Sequence, residues 1–383
     1  MMRAMSKYPV LSAVLMMMPA LAGAAEELAL TRAQADEKVA QFWEERKAVL
    51  VRERAAELEA KAIVIGDKTL KFEAKEFGKA PEGGRSLWIS MHGGGGAPPR
   101  VNDQQWQNQI RLYEPTEGWY VAPRAPTDTW NLWHEGHISG MFDRLIDDFV
   151  TLRGVNPAKV YLMGYSAGGD GVWQLAPRMP DRWAAAAMMA GHPNDATLLP
   201  LRNLPMALFV GGEDRAFNRN AVVAERGAEL GRLRKEDPAG YENFVRVYDG
   251  LPHWMNRKDA EALPWMAGKT RQTWPQKLVW LQTSSPRDRF YWLKVPAGEA
   301  KPGRRIDAEI KDRTIALSGD VPQGIMVRLH DKLLSLDEPL TITVGDRKVF
   351  HGKVKRTATA VRDTLDERAD PDAAATAQLV LNW

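Results

Sequence analysis

The chain contains no cysteine. That absence excludes disulfides, thiolate metal centres, a cysteine nucleophile and any lipid anchor built on an acylated cysteine. Surplus charge is missing too, with 52 Lys and Arg against 49 Asp and Glu. A protein that grips nucleic acid by charge shows clustered surplus base, so no nucleic-acid partner is expected. Past the N-terminus no apolar run approaches the roughly eighteen residues that a membrane-spanning helix needs. Internal repeats and low-complexity runs are absent as well. What remains is 383 residues with 44% hydrophobic and 26% charged content. That is ordinary globular composition, with enough chain for a full core and, at about 150 residues each, two to three domains.

The first residues read as an address. Arg3 and Lys7 precede a mostly apolar run over 10–18, Pro19 breaks it, and Ala22-Gly23-Ala24 supplies small residues. This is the order of a secretory signal peptide covering 1–24, and it predicts a secreted or periplasmic product. Thr31 and Gln34 then form a capping-box pattern ahead of a long amphipathic helix over 31–61. Stretches 62–65 and 69–77 flank Gly66-Asp67 as a β-hairpin. Helix and hairpin, residues 25–85, are expected to pack on the main body.

From residue 86 apolar strands alternate with helical stretches. Strands are expected at 86–91, 118–122, 159–163, 184–189, 206–210 and 244–248, with helices at 138–152 and 169–178 between them. Such alternation argues for an α/β class fold, a mostly parallel sheet with helices on both faces, over 86–285. Ser284-Ser285-Pro286 reads as a linker. Beyond it the apolar period falls to two, with one helix near 357–368, which predicts a small C-terminal antiparallel β-domain over 286–383.

The chemistry centres on Gly164-Tyr165-Ser166-Ala167-Gly168, between a strand and a helix. Glycines there let the chain turn sharply and present Ser166 above the sheet edge, as a nucleophile elbow requires. A serine needs a base, and the base needs an acid to orient it. In this layout acid and histidine follow the serine in that order. Of seven histidines, His253 lies in a loop just after a strand and is the expected base. The acid should sit in Gly211-Gly212-Glu213-Asp214, with Asp214 favoured over Glu213 by its Gly-x-x-Asp spacing. His92-Gly93-Gly94-Gly95-Gly96 follows the first strand, and no Gly-Lys-Ser/Thr makes it a phosphate loop. The N–H groups of Gly93, Gly94 and Gly95, with that of Ala167, are candidates for an oxyanion hole. Trp130, Trp133, Tyr165, His192 and Trp254 are the expected substrate-lining residues. His134 and His137 are three apart, where a helical zinc pair wants four, so no metal is expected, and the chemistry requires no cofactor.

On these motifs the chain resembles the α/β-hydrolase superfamily over about residues 85–283. It looks most similar to secreted polyhydroxybutyrate-depolymerase-like, feruloyl-esterase-like and dienelactone-hydrolase-like serine esterases. It departs from them at Leu251-Pro252, before His253, where a Gly-Gly or Gly-x-Gly pair is common. The resemblance implies a serine hydrolase acting on a small-molecule or polymeric ester through an acyl-enzyme. The alternatives are a serine peptidase of the prolyl-oligopeptidase type on the same fold, and a non-catalytic polymer-binding protein.

Overall fold

The computed structural model describes residues 27–383, so the expected signal segment lies outside the described residues. Helix α1 (Arg32–Ala60) opens with the capping box read from sequence: Gln34 N–H donates to Thr31 Oγ1 and Thr31 N–H to Gln34 Oε1. Strands β1 (Ala62–Ile65) and β2 (Lys68–Phe77) form the expected hairpin. The hairpin is not an appendage. Pairing of β2 with β4 makes it the antiparallel edge of an eight-stranded sheet.

The other strands are β3 (Arg85–Met91), β4 (Gly118–Arg124), β5 (Val155–Tyr165), β6 (Ala185–Met189), β7 (Met206–Gly211) and β8 (Asn243–Tyr248). Their order is β1-β2-β4-β3-β5-β6-β7-β8, and the last six run parallel. Strand period sorts the side chains onto two faces. Val160 and Leu162 of β5 enter one core; Tyr161, Met163 and Tyr165 enter the other. Helices α3 (Gly136–Arg153), α4 (Ala167–Arg178) and α5 (Arg219–Glu236) bury apolar residues in the first core. Helix α2 (Pro99–Gln109), through Trp106, and α6 (Ala262–Ala267) cover the second.

Helix α2 has no counterpart in the sequence reading. Its buried positions are Asn102 and Gln109, so it shows no apolar stripe.

The C-terminal unit holds two sheets around one core. One contains β10 (Arg289–Phe290), β11 (Leu293–Lys294), β14 (Ile325–Leu329) and β17 (Ala377–Leu381). The other contains β9 (Lys277–Leu281), β12 (Arg305–Lys311), β13 (Thr314–Gly319), β15 (Leu340–Val344) and β16 (Arg347–Gly352). Strand β9 corrects the expected boundary at Pro286. It precedes the Ser-Ser-Pro segment yet pairs with β12, and Trp280 stacks on Phe290 of the facing sheet at 5.4 Å. The second unit thus begins before its apparent linker. Pairing is antiparallel as expected except between β13 and β15, which run parallel.

The join between the units is ionic. Arg182 is fastened to Asp147 at 2.7 Å and Asp143 at 3.0 Å, and Asp143 also meets Arg287. Asp181 holds Arg368 at 2.8 Å, and Asp370 holds Arg271 at 2.7 Å. Burial alone would raise these carboxyls, but the surrounding arginines outweigh it and hold Asp143, Asp181 and Asp370 below their ordinary range. Helix α7 (Ala358–Glu367) packs against α1, with Phe42, Val361, Leu365 and Ala374 forming a small separate core.

Candidate active site

Strand β5 ends at Tyr165 and α4 begins at Ala167, leaving Ser166 alone at the turn with φ +58° and ψ −122°. A non-glycine residue in that region stores strain of about 1–3 kcal/mol and persists only where its surroundings hold it. Here Ser166 N–H donates to Met189 C=O at 2.9 Å, and Asp170 N–H donates to Ser166 C=O. Gly164 and Gly168 are both sterically required. A Cβ on Gly164 would stand 2.2 Å from Gly168 O, and one on Gly168 would stand 2.1 Å from Met91 O.

Two other strand ends bring the remaining groups. Past β7, Asp214 is buried, its side chain 2% exposed, and His253 Nδ1 lies 2.6 Å from its Oδ2. Glu213 turns outward to an exposed pair with Arg215, which separates the two acid candidates. The loops after β7 and β8 are stitched together: Glu213 N–H donates to Leu251 C=O, and Gly212 N–H to Tyr248 C=O. The unusual Leu251-Pro252 therefore runs in backbone contact with the Asp214 loop. Tyr165 OH donates to His253 C=O at 2.6 Å and accepts Met255 N–H at 3.1 Å, clamping the histidine loop from both sides.

The glycine loop is held from below. His92 is fully buried, and its Nε2 accepts Ala125 N–H at 3.1 Å, so the Nδ1 proton is donated to Gly93 C=O at 2.6 Å. Burial pulls His92 down to about 4, keeping it neutral in this scaffolding role. Gly95 departs from expectation. Its N–H is taken by Asn102 Oδ1 at 2.8 Å, and Asn102 in turn donates to Ala97 C=O and Asp128. Gly95 is thereby removed from the oxyanion candidates. Gly93 and Gly94 line the cavity beside Ser166, and Ala167 is the next residue on α4.

That cavity has a volume of about 600 Å³. One wall is Gln105, Asn108, Gln109 and Leu112; the other is Tyr165 and Trp254; Ser166 and His253 lie between. Among the described residues, no Asp, Glu, Lys or Arg lines it. A larger groove of about 910 Å³, near Trp43, Lys47 and Asn156, lies at the opposite end of β5 and contains no nucleophile–base pair.

The expected substrate residues divide. Tyr165 and Trp254 line the cavity. Trp133 does not: it is 0% exposed, and its Nε1–H donates to His92 C=O at 2.9 Å, so it belongs to the core beneath the glycine loop. Trp130, 64% exposed, stands outside on a separate groove with His134 and Asn194. His192 is also outside the cavity, because Asp170 holds its N–H at 2.6 Å and its Nδ1 accepts Asn194 N–H. Sequence reasoning missed Gln105, Asn108, Gln109 and Leu112, all on or just after α2. Pro98-Pro99, a helix-start signal, was the available clue. Among the described residues, no group of three His, Cys, Asp or Glu gathers to hold a metal.

Strand order and elbow together define an α/β-hydrolase fold, with serine at the nucleophile position. The chain resembles esterases of that superfamily. No protein-family model matches the sequence. It is 28% identical over 195 residues to NocK of Nocardia uniformis subsp. tsuyamanensis, whose name assigns it provisionally as an esterase. That alignment takes in 47% of this chain and 55% of NocK, so the chain spans just over half the length of this curated relative. Similar solved structures include a thermostable esterase, at 16% identity and TM-score 0.41 over 55% of this chain and 62% of that one. Another is LpqC, a poly(3-hydroxybutyrate) depolymerase from Bordetella parapertussis, at 16% identity and TM-score 0.41 over 54% and 86%.

Proposed function

We propose that the protein is an exported serine hydrolase that cleaves carboxylic esters. The observation that carries the reading is the junction of three strand ends at one uncharged cavity: Ser166 on its strained elbow, and His253 on buried Asp214 at 2.6 Å. Asp214 fixes the Nδ1–H tautomer and leaves Nε2 to take the serine proton. Ser166 Oγ attacks the ester carbonyl, and the N–H groups of Gly93 or Gly94 and Ala167 receive the developing oxyanion. The imidazolium returns its proton to the leaving alcohol, and water then frees the acid by the same steps in reverse. The uncharged lining favours a neutral ester over a peptidase that reads a charged chain terminus, which would need a buried carboxylate facing the serine.

Fluorophosphonate labelling tests the reading, followed by parallel panels of 4-nitrophenyl esters and peptide amides. Labelling that Ser166→Ala abolishes, with turnover confined to esters, is expected. Absence of labelling in the folded wild-type protein would reject it. Export is tested separately, by N-terminal sequencing of protein recovered outside the cytoplasm, with Ala25 expected first.

A further inference from the structure

The acid of the triad has a second partner that the mechanism above does not use. Arg219 Nη1 donates to Asp214 Oδ1 at 3.1 Å, on the oxygen opposite the one that receives His253. Both side chains are well buried. The chain between them takes an unusual path. Phe217 and Asn218 are consecutive residues in the left-handed region, each with φ +55°, and they reverse the backbone so that the first residue of α5 returns to Asp214. Asn220 closes the loop, its N–H on Asp214 C=O at 3.0 Å and its Nδ2 on Gly212 C=O at 2.7 Å. The arginine carbon Cζ lies 4.9 Å from the centre of the ring of Phe217, which is 74% exposed.

We propose that Arg219 is a positioning residue: it holds the outer oxygen of Asp214 so that the inner one stays on His253 Nδ1–H. This rests on the triad reading above. A carboxylate anchored by one oxygen swings about its Cβ–Cγ bond, whereas one anchored by both does not. The role is geometric. A cation beside Asp214 opposes the imidazolium that forms on His253, so the benefit of Arg219 comes from orientation. Among the described residues Asp214 is the carboxylate in ion-pair contact with Arg219: Glu213 and Arg215 pair with each other at the surface, Asp170 on α4 feels the Arg219 charge but accepts His192 N–H, and Asp259 beyond His253 is bonded by Tyr113.

The test uses full-length Arg219→Ala and Arg219→Met, the second keeping the aliphatic packing, with Asp214→Asn alongside and 4-nitrophenyl acetate as substrate. A loosened Asp214 is expected to lower kcat up to about 100-fold, as small misplacements of catalytic groups do, while KM moves less than about twofold. Guanidinium ion at tens of millimolar should recover part of the loss in the alanine variant, which a purely structural role would not allow. Wild-type kcat in either folded variant, or a loss that guanidinium leaves untouched, overturns the proposal. An active Asp214→Asn would instead overturn the triad reading itself.

Discussion

Among the described residues no charged side chain lines the cavity around Ser166, whereas at the join of the two units Asp181, Asp370, Arg182, Arg271, Arg289 and Arg368 lie together out of solvent, with half-buried Asp143 at their edge. Both regions carry polar side chains, but the cavity opens to solvent at His253 and Trp254. They differ in what the polarity secures. At the cavity it orients: hydrogen bonds from Tyr165, Asn102 and His92 fix the loops that carry the lining residues. At the join each carboxylate meets two or more cations, so the two surfaces match in only one arrangement. A buried ion pair adds little net stability over an apolar contact of similar shape, but removing one partner is costly. The join should therefore be sensitive in stability and the cavity sensitive in rate.

The largest effect that would test this contrast is on rate. Ser166→Ala should lower kcat by at least about 10³-fold while the unfolding temperature stays near wild type, because the hydroxyl supports little packing. Asp181→Ala should do the reverse. It takes the 2.8 Å partner from buried Arg368, which keeps only Asp370 at 3.6 Å, and should cost about 3–5 kcal/mol in denaturant unfolding, with kcat/KM of the folded fraction unchanged. Equal damage to rate and stability in either variant would erase the distinction. Trp133→Ala should also cost about 3–5 kcal/mol, as a buried tryptophan, and should additionally disturb the His92 loop it holds.

A chain cut at Ser285 is a related case. It would leave β9 without β12 and Asp143 without Arg287, so a loss of cooperative unfolding is expected by circular dichroism.

Acid should act on stability in two stages. Burial lowers His92, His134 and His330 from 6.5 to about 4, so the unfolded chain binds protons first as pH falls. Their contribution is present above pH 6.5 and is lost between there and about 4. For Glu367, burial is outweighed by Arg289, Arg328 and Lys294, which bring it from 4.5 to about 2. Its contribution holds above 4.5 and is lost from there down to about 2. Unfolding temperatures measured from pH 7.5 to 3 should fall in both windows; a flat profile to pH 4 would contradict the buried neutral histidines. The smallest effect is Trp130→Ala, which should change stability by no more than about 0.5 kcal/mol and leave acetyl-ester hydrolysis intact.

What could be read in advance follows from the range of the interactions. The elbow was legible because Gly164 and Gly168 answer to atoms only a turn away or on the adjacent strand. The capping box of α1 was legible for the same reason. Helix α2 was hidden because it buries amides: Asn102 serves Gly95 and Asp128, and Gln109 donates to Ser90 Oγ, so no apolar period marks it. Membership of β9 depends on pairing with a strand beyond the linker. Trp130 and Trp133 are three residues apart in one motif, and the packing of α4 and the bond to His92 C=O, both distant in sequence, set Trp133 in the core. Arg219 reaches Asp214 through two left-handed residues that carry no glycine to announce them.

The contact of α1 with α7 has a consequence in time. Leu30 bridges to Arg356, Arg46 donates to Asp366 C=O across 320 residues, and Arg362 pairs with Glu45 at 3.1 Å. Helix α1 thus finds part of its seat only when α7, about 300 residues later, has been made. Closing a loop of that length is slow, and such contacts are late events in folding. The clasp of α1 on α7, rather than the sheet between them, should set the final step of folding.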